Sequence, residues 1–425
     1  MYKEFDVDIA ILGAGVAGIG AAYALGKIAV IFEEDDTWGG LCGNFEVNGF
    51  RFDKAVHLSF VNEEIVKSIF YKIPYYEHLP ESKNYVDGYW VRHPVQNNCC
   101  TLPIEERIKI IKSFINSSND NKTPENYKEW LIYQYGKYFS ETYPERYTRK
   151  YWANDAEMLS TLWCGNRLYQ PTIEEVLRGS FTDKTPNTYY AKKMFYPQKG
   201  GYKSFLSNII NKCNILYNKK VISIDTEKKE LIFSDNTKYY YNKLISTIPL
   251  PILVHIIKNV PENVIEASNE LEATQLTLVS IGFNKSIVFP SLWFYVYDEE
   301  IPFARAYSPS MKSPDNAPKD KSSLQCEIYS SKNMPIYFSN NELKEKIINT
   351  LEKMKIAKKN DIELIDIRQI NYGNVIFYKG MENKRKVCLD YIKDKNIISA
   401  GRFGEWDYLW SGQAFMSGYN AVKSI

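Results

Sequence analysis

The feature that most constrains the fold of this chain is the run GAGVAG, which places Gly13, Gly15 and Gly18 in a GxGxxG pattern. It follows the apolar run DVDIAIL, which is typical of a buried parallel strand, and it opens a helix rich in small residues. In such a unit the first glycine permits a tight turn, the second lets backbone approach a pyrophosphate, and the third allows close packing of helix and strand. The pattern predicts a dinucleotide-binding strand–helix–strand unit.

A second strand, IAVIF, ends directly before an acidic group. Dinucleotide-binding units carry a carboxylate there, about twenty residues past the glycines, to accept hydrogen bonds from ribose hydroxyls. Glu33 has the expected position, with Glu34 and Asp35 as alternatives. Residues 9–32 are long and apolar enough to resemble a membrane helix, but their glycine spacing favours the nucleotide-binding unit. We therefore expect no membrane span.

Composition limits the kinds of partner. Lys plus Arg number 53 against 51 for Asp plus Glu, and this small net charge does not favour binding to nucleic acid. The seven cysteines are scattered and include no CxxC pair, which indicates neither a disulfide framework nor a zinc site and fits the cytoplasm. The start MYKEFDVDIAIL lacks the pattern of a signal peptide. We expect no metal, and we expect any anionic substrate to be held by a few arginines.

Beyond the first unit, the periodicity separates a helical region from a sheet region. PIEERIKIIKSFI, ENYKEWLIYQYGKYF and IEEVLRGSF have helical periodicity, and so has the later run ELKEKIINTLEKMK. Residues 276–330 are typical of sheet, and NIISAGRFGEW is typical of a late strand that enters a glycine turn. The nucleotide-binding elements are thus interrupted by others.

Four segments resemble the glutathione-reductase type of FAD fold. The pair Gly39-Gly40 resembles its second glycine pair, and KKVISID resembles the strand in which Val221 would pair its backbone with adenine. LISTIPL resembles the strand that crosses the cofactor, and NIISAGRFGEWDYLW, with Gly401 and Arg402, resembles the last strand and turn under the flavin. The resemblance implies an α/β fold with a discontinuous Rossmann-like FAD-binding domain, a helical insertion and a mixed-sheet substrate domain.

These observations predict the domain boundaries. We expect the FAD-binding domain to comprise residues 1–62, 198–255 and 385–425. Residues 63–197 are expected to form a mainly helical insertion, and residues 256–384 a mixed β-sheet substrate-binding domain.

Within the amine-oxidase and protoporphyrinogen-oxidase-like flavoproteins, the chain most resembles UDP-galactopyranose mutase. The resemblance lies in segments that occur in the family's order: DKAVHLSF, NYVDGYWVRHPVQNN, WCGNR, MFYPQKGG, WFYVYDEEIPFAR and GRFGEWDY. It implies catalytic roles for four residues, His57, Arg167, Arg305 and Arg402. It also implies substrate contacts by Phe60, Tyr295 and Tyr408.

The chemistry that this resemblance implies is an isomerisation. In the family, N5 of reduced FAD attacks the anomeric carbon of a nucleotide-diphosphate sugar and displaces the diphosphate while the sugar ring opens and recloses. Arg167 and Arg305 would hold the diphosphate, because the planar fork of arginine suits phosphate geometry. His57 would lie beside the flavin ring. The resemblance implies FAD in its reduced form, an external reductant such as NAD(P)H, and a place in cell-surface polysaccharide assembly.

The chain departs from the family's pattern near the sugar. The family's glycine pair before the histidine is Ala55-Val56 here, and because valine resists backbone conformations open to glycine, we expect a stiffer loop. An expected asparagine falls at Ala191 and an expected tyrosine at Asn374. Three functions therefore stand: a mutase, an FAD-dependent oxidoreductase, and a flavin protein without turnover. The sugar, the nucleotide and the oligomeric state, a homo-oligomer included, stay open.

Overall fold

The computed structural model describes residues 2–117, 123–165, 168–188 and 191–424. Its strands lie at Lys3–Leu12 (β1), Ala29–Phe32 (β2), Asn44–Val47 (β3), Phe50–Asp53 (β4), Tyr75–His78 (β5), Lys83–Val86 (β6), Tyr89–Arg92 (β7), Met194–Pro197 (β8), Asn214–Leu216 (β9), Val221–Asp225 (β10), Glu230–Phe233 (β11), Thr237–Ser246 (β12), Gln275–Phe283 (β13), Trp293–Val296 (β14), Arg305–Tyr307 (β15), Ser322–Ser330 (β16), Ile362–Ile370 (β17) and Ile397–Ser399 (β18).

The α-helices lie at Val16–Leu25 (α1), Glu64–Phe70 (α2), Ile104–Ile115 (α3), Tyr127–Tyr135 (α4), Lys137–Thr142 (α5), Pro144–Trp152 (α6), Ile173–Phe181 (α7), Ser207–Ile210 (α8), Leu250–Ile256 (α9), Glu262–Glu270 (α10), Pro309–Lys312 (α11), Asn340–Lys353 (α12), Met381–Asp394 (α13), Gly401–Gly404 (α14) and Ser411–Ala421 (α15). None of the helices in the described ranges has the length and apolar composition needed to cross a membrane.

The first large sheet contains the glycine fingerprint. Its strand order is β10-β11-β12-β1-β2-β9, and β18 pairs with β12 beside this path. Strand β1 is parallel to both β12 and β2, with Lys3 opposite Thr237 and Ile9 opposite Ala29. Parallel strands require crossover connections, which here include α1 and the long segment before β12. The sheet thus joins segments from the start, the middle and the end of the chain, as the sequence predicts.

Helix α1 lies close against helix α15, and glycines on both helices make this possible. A Cβ at Gly20 would lie 2.3 Å from the Phe415 carbonyl oxygen, and one at Gly418 would lie 1.8 Å from the Ala17 carbonyl oxygen. Residues Val16 to Ala22 of α1 are all buried. The C-terminal helix therefore fixes the position of the helix that follows the glycine turn.

The second large sheet has the strand order β17-β13-β16-β15-β14-β6-β7. Its pairs are antiparallel except β14 and β6, which run parallel. Helix α12 packs against it, with Ile347 and Leu351 in one buried cluster with Val279 and Phe283. Strands β6 and β7 come from the segment with the helical texture and extend this sheet. The expected fold class, α/β with a mixed second sheet, is confirmed.

The helical region contains α3 to α7, and local sequence signals mark its helix ends. Thr172 and Glu175 form a capping box at the start of α7, which satisfies two backbone N–H groups. The periodic run from Glu125 to Phe139 forms two helices, because Gly136 has a φ of +75° between them. A Cβ at Gly136 would lie 1.9 Å from the Ser113 carbonyl oxygen, so glycine is required where α3 and α5 meet.

Candidate active site

A cavity of about 860 Å³ is lined by residues of both large sheets. Its volume falls in the range of small-molecule and cofactor sites. The glycine turn after β1 contributes Gly13 and Gly15, and strands β13, β14, β15 and β17 contribute residues from the second sheet. The sequence-predicted residues that line it are Gly13, Gly15, Glu33, Gly39, Gly40, His57, Phe60, Val221, Tyr295, Arg305, Gly401, Arg402 and Tyr408.

The three fingerprint glycines serve different purposes. Gly13 has a φ of +95°, and a Cβ there would lie 2.7 Å from Thr247 Oγ1. A Cβ at Gly18 would lie 2.0 Å from the Gly13 carbonyl oxygen, so this glycine lets α1 approach the turn. At Gly15 the nearest atom to an added Cβ is Gly40 Cα at 4.0 Å. Protein packing does not require a glycine at position 15, whereas a ligand that approaches the backbone does.

The start of α1 is suited to an anion. Its N-cap is Gly15, and no side chain in the described part of the chain caps it. The first-turn N–H groups and the helix dipole favour a negative charge there. Gly39 donates its N–H to the Ala14 carbonyl at 2.9 Å, and Gly39 and Gly40 both have positive φ. We call the turn from Gly13 to Gly18, together with Glu33, Gly39 and Gly40, the cofactor cradle.

Glu33 is the carboxylate that belongs to this cradle. Its Oε2 accepts the Ala14 N–H at 2.6 Å and its Oε1 accepts the Asp35 N–H at 3.0 Å. Burial raises the pKa of Glu33, while these two hydrogen bonds lower it. Glu34 and Asp35 instead form exposed ion pairs with Lys220 and Lys54. Each Glu33 oxygen keeps a lone pair that can accept from a ribose hydroxyl.

Val221 and Gly401 border the cradle from other parts of the chain. Val221 begins β10, next to β11, at the edge of the first sheet. Gly401 follows β18, has a φ of +83° and donates its N–H to Ser417 Oγ at 2.7 Å. A Cβ at Gly401 would lie 2.5 Å from Ala17 Cβ, so this glycine packs directly on α1.

His57 lies at the end of the loop after β4 and lines the cavity. Its Nδ1 lies 3.0 Å from the Ala55 carbonyl oxygen, which can only accept, so Nδ1 carries the proton. The imidazole stacks on Tyr202, with ring centroids 4.9 Å apart. Burial lowers the pKa of His57 to about 4. His57 is therefore neutral at pH 7, with Nε2 as a hydrogen-bond acceptor.

Arg305 lines the cavity with its charge already compensated. Its Nε and Nη2 lie 2.7 and 2.5 Å from Glu327 Oε2, and Nη2 also donates to Tyr329 Oη at 2.9 Å. Glu327 is fully buried and lies opposite Arg305 in the antiparallel register of β15 and β16. The guanidinium also lies 5.5 Å from the centroid of the Tyr151 ring.

Arg402 is held by neutral groups. It donates to the Leu409 carbonyl at 2.9 Å and to Asn374 Oδ1 at 2.8 Å, and its guanidinium lies 4.4 Å from the Tyr408 ring centroid. Its Nε is buried without a hydrogen-bond partner. No carboxylate in the described residues pairs with Arg402. Each of the other described cations that line the cavity has such a partner: Lys54, Lys219, Lys220, Arg305 and Arg368.

The three predicted aromatic residues also line the cavity. Tyr295 Oη accepts from Trp293 Nε1 at 3.1 Å, and Tyr408 Oη lies 3.2 Å from Tyr151 Oη. The Phe60 ring meets Trp410 edge to face, with centroids 4.9 Å apart. The structure thus brings six predicted residues of the substrate side to one cavity, namely His57, Phe60, Tyr295, Arg305, Arg402 and Tyr408. The seventh, Arg167, lies outside the described residues.

Several residues at the site were missed by sequence reasoning. Glu327 lies within the strand SSLQCEIYS, all of which is buried, although the many polar residues of this run do not predict that burial. Asn374, where a tyrosine was expected, binds Arg402. Tyr202 and Arg368 carried no sequence signal, and Arg368 lies 3.8 Å above the Phe45 ring centroid. The described residues include no group of three or more His, Cys, Asp or Glu arranged to hold a metal ion.

Comparisons with known proteins identify the family and the fold of this chain. Residues 16–425 match the family described as flavin containing amine oxidoreductase. A crystal structure of reduced UDP-galactopyranose mutase is 26% identical, covers 98% of this chain and 95% of that chain, and has a TM-score of 0.91.

More distant structures share the fold. A protein from Exiguobacterium sp. 255-15, provisionally named protoporphyrinogen oxidase, is 15% identical, covers 100% of this chain and 98% of that chain, and has a TM-score of 0.75. A fatty acid isomerase from P. acnes is 13% identical, covers 98% of each chain and has a TM-score of 0.65.

A curated relative matches only locally. All-trans-retinol 13,14-reductase of Danio rerio is 34% identical over 55 residues. The match spans 12% of this chain and 9% of that relative's length.

Proposed function

The chain belongs to the flavin containing amine oxidoreductase family, and we propose that it is an FAD-dependent mutase that interconverts the pyranose and furanose forms of a nucleotide-diphosphate sugar. The observation that carries this proposal is its similarity to reduced UDP-galactopyranose mutase over nearly the full length of both chains. The grouping of His57, Arg305 and Arg402 around one cavity supports it.

The cofactor cradle fits FAD. The open space at Gly15, the uncapped start of α1 and the buried carboxylate of Glu33 suit a pyrophosphate and its ribose. FAD in its reduced form would supply the nucleophile that attacks the anomeric carbon, with an external reductant such as NAD(P)H as the source of electrons. Val221 and Gly401 would border the adenine and flavin ends.

The arginines would bind and orient the diphosphate. Arg402 has no carboxylate partner in the described residues, so it can offer its full charge to a phosphate oxygen. Arg305 would contribute hydrogen bonds more than net charge, because Glu327 neutralises it. Arg167 would act on the same group. The hydroxyls of Tyr295 and Tyr408 would fix the orientation of the leaving group.

His57 would orient the flavin while its own imidazole stays neutral. Its proton is held at Nδ1 by the Ala55 carbonyl, so its Nε2 can accept a hydrogen bond from an N–H group of the ligand. Phe60 and Trp410 form an aromatic wall that would exclude water from the reacting carbon.

An FAD-dependent oxidoreductase of the amine-oxidase kind is the second candidate, and one observation favours it. The Arg305 charge is compensated by a fully buried carboxylate, so fewer free cations line the cavity than a diphosphate would use. This function predicts net oxidation of a substrate and reduction of the flavin, with no dependence on Arg402.

The test is chromatography of a panel of nucleotide sugars, UDP-galactose first, incubated with the oxidised and the dithionite-reduced protein. A new isomer of equal mass, formed only by the reduced protein, is the expected result. Absence of any isomer, together with anaerobic bleaching of the flavin by an amine or another reduced substrate, would replace the mutase with the oxidoreductase.

The proposed activity places the protein before the assembly of cell-surface polysaccharides. A mutase of this kind would supply furanose-form sugar nucleotides to glycosyl transfer in the cytoplasm. Both statements rest on the proposed reaction and fall with it.

A further inference from the structure

A completely buried ion pair lies behind the loop that carries His57. Lys312, at the end of α11, places its Nζ 2.8 Å from Oδ2 of Asp53, at the end of β4. The two side chains are 0% and 1% exposed. Burying a lysine ammonium at this depth costs folding free energy unless the charge is paired, and even a paired charge seldom adds stability. The contacts of the pair therefore indicate its role. The Lys312 Nζ also lies 4.0 Å from the ring centroid of Tyr307.

Asp53 connects this pair to the histidine loop and to the residue that lies under the His57 ring. Its Oδ1 accepts the Tyr202 N–H at 3.0 Å, and its Oδ2 also accepts the Tyr196 hydroxyl at 2.8 Å. The Tyr202 ring is the surface on which the imidazole stacks. Asp53 is also the residue from which the histidine loop, residues 53–57, begins. One carboxylate therefore fixes the start of the loop and the residue under the ring.

Other buried groups hold the remainder of the histidine loop. Glu327 Oε1 accepts the Val56 N–H at 2.7 Å. The Tyr307 hydroxyl lies 3.1 Å from the Ala55 carbonyl, the same carbonyl that accepts from His57 Nδ1. Neither Ala55 nor Val56 has a positive φ, so the loop has a conformation that needs no glycine. The loop is attached at successive residues to β15, β16 and α11.

We infer that Lys312 is a positioning residue for His57: through Asp53 it holds the histidine loop and the Tyr202 ring together, and so fixes the imidazole with its proton on Nδ1. The inference rests on the proposed function only in treating His57 as part of the flavin site. Lys312 acts through Asp53 and through the His57 carbonyl, to which its Nζ donates at 3.5 Å, and it lines no part of the cavity.

The charges around His57 predict how its pKa should change when Lys312 is replaced. Burial is the main reason that the pKa of His57 falls to about 4; Asp53 and Glu327 raise it and Lys312 lowers it. Removing the lysine charge while Asp53 remains should therefore raise the His57 pKa. Removing both charges should cancel most of this change, although the attachment of the loop is still lost.

The experiment is NMR of FAD-loaded protein with ¹⁵N-labelled histidine, followed over pH. The chain has only four histidines, and His57→Gln assigns the signal. In the wild-type protein we expect a single Nδ1–H tautomer. Lys312→Met, which keeps an unbranched apolar chain, should raise the His57 pKa by about one unit or more and give a mixture of tautomers.

A double variant and a surface control complete the test. Asp53→Asn with Lys312→Met leaves no unpaired buried charge; it should return the His57 pKa toward the wild-type value but retain the tautomer mixture. Lys285→Met removes an exposed ion pair with Asp361 and should change neither signal. If folded Lys312→Met or the double variant shows the wild-type pKa and one pure tautomer, the inference is wrong. These readouts do not depend on whether any sugar is isomerised.

Discussion

The cofactor cradle and the opposite part of the site, which we call the histidine wall, line one cavity but are built in different ways. The histidine wall comprises His57, Arg305 and Arg402 with the side chains that hold them. The cradle uses backbone: glycines with positive φ, free N–H groups and one carboxylate. The wall uses side chains: Arg305 in a charge pair with Glu327, Arg402 held by neutral groups, and the neutral imidazole of His57. We expect the cradle to fail when a side chain is added, and the wall to fail when a charge is removed.

The largest effect is expected from two glycines of the cradle that lie three residues apart. Gly18→Val would drive a Cβ to within 2.0 Å of the Gly13 carbonyl oxygen and should destabilise the fold by about 3 kcal/mol or more. The Cβ that Gly15→Val adds would meet nothing closer than 4.0 Å, so the protein should stay folded but bind FAD about 100-fold more weakly or worse. Thermal unfolding and flavin absorbance separate the two results. A folded Gly15→Val protein with full FAD would refute the assignment of the cradle.

The next effect concerns the charge pair of the wall. Glu327→Gln should lower the free energy of unfolding by about 3–5 kcal/mol, because the partly buried guanidinium of Arg305 loses its carboxylate. The freed charge should also tighten the binding of a nucleoside diphosphate such as UDP. Urea unfolding and calorimetric titration measure the two effects. Glu299→Gln breaks a more exposed pair with Arg149 and should cost less than about 1 kcal/mol. Weaker UDP binding in Glu327→Gln would contradict the role given to Arg305.

A smaller effect should follow from removing the cation that lacks a carboxylate. Arg402→Met should reduce the proposed isomerisation about 100-fold and leave the FAD content unchanged, because the lost groups act on the substrate side. Arg368→Met is the matched control, since Arg368 lines the same cavity but is paired with Asp366. Steady-state kinetics and flavin content give the comparison. Equal losses in both variants would show that charge compensation does not distinguish the two arginines.

The last expected effect is a dependence of stability on pH. The pKa of His57 is about 4 in the folded protein against an ordinary value of 6.5, because burial disfavours the imidazolium. The unfolded chain therefore binds a proton that the folded chain excludes. The contribution of His57 to the free energy of unfolding is fully present above about pH 6.5. As the pH falls from about 6.5 to 4, this contribution decreases by at most about 1.4 kcal/mol per pH unit.

His93, whose pKa burial also lowers to about 4, should add a similar slope. Burial also lowers the pKa of His78, which adds a third contribution. His57→Gln should remove one of the three, whereas substitution of the exposed His255 serves as the control. Urea unfolding across this pH range is the measurement. An unchanged slope in His57→Gln would mean that this imidazole is not held in its neutral form.

The contrast between cradle and wall also explains what the sequence could predict. Gly13, Gly18 and Glu33 belong to a local pattern, since the turn, the helix and the second strand lie within about thirty residues. The fold class followed from this pattern and from the resemblance, including a sheet that joins distant segments. The Gly136 break was missed, because it arises from the contact between α3 and α5 and leaves the helical periodicity unchanged.

The wall was predicted only in part. Resemblance gave His57, Arg305 and Arg402, but it gave no partners for them. Glu327 and Lys312 come from separate elements, and their effect depends on distances of less than 3 Å between side chains. No periodicity in one sequence encodes such a pairing. The stiffness expected at Ala55-Val56 gains a physical cause in these contacts, and it stays a prediction until the loop is measured.

The pairing of β1 with β12 has a consequence for how the protein is made. Residues Lys3 to Leu12 are synthesised more than two hundred residues before their neighbour on one side, the segment from Thr237 to Ser246. Strand β18, at Ile397–Ser399, pairs with β12 in the same sheet and is synthesised later still. Contacts between residues so distant in sequence form slowly, and strand edges stay exposed until these contacts have formed. The nascent chain must therefore carry β1 with its β12 edge unpaired until residues 237–246 have been made, so this edge is a place where protection against aggregation would matter.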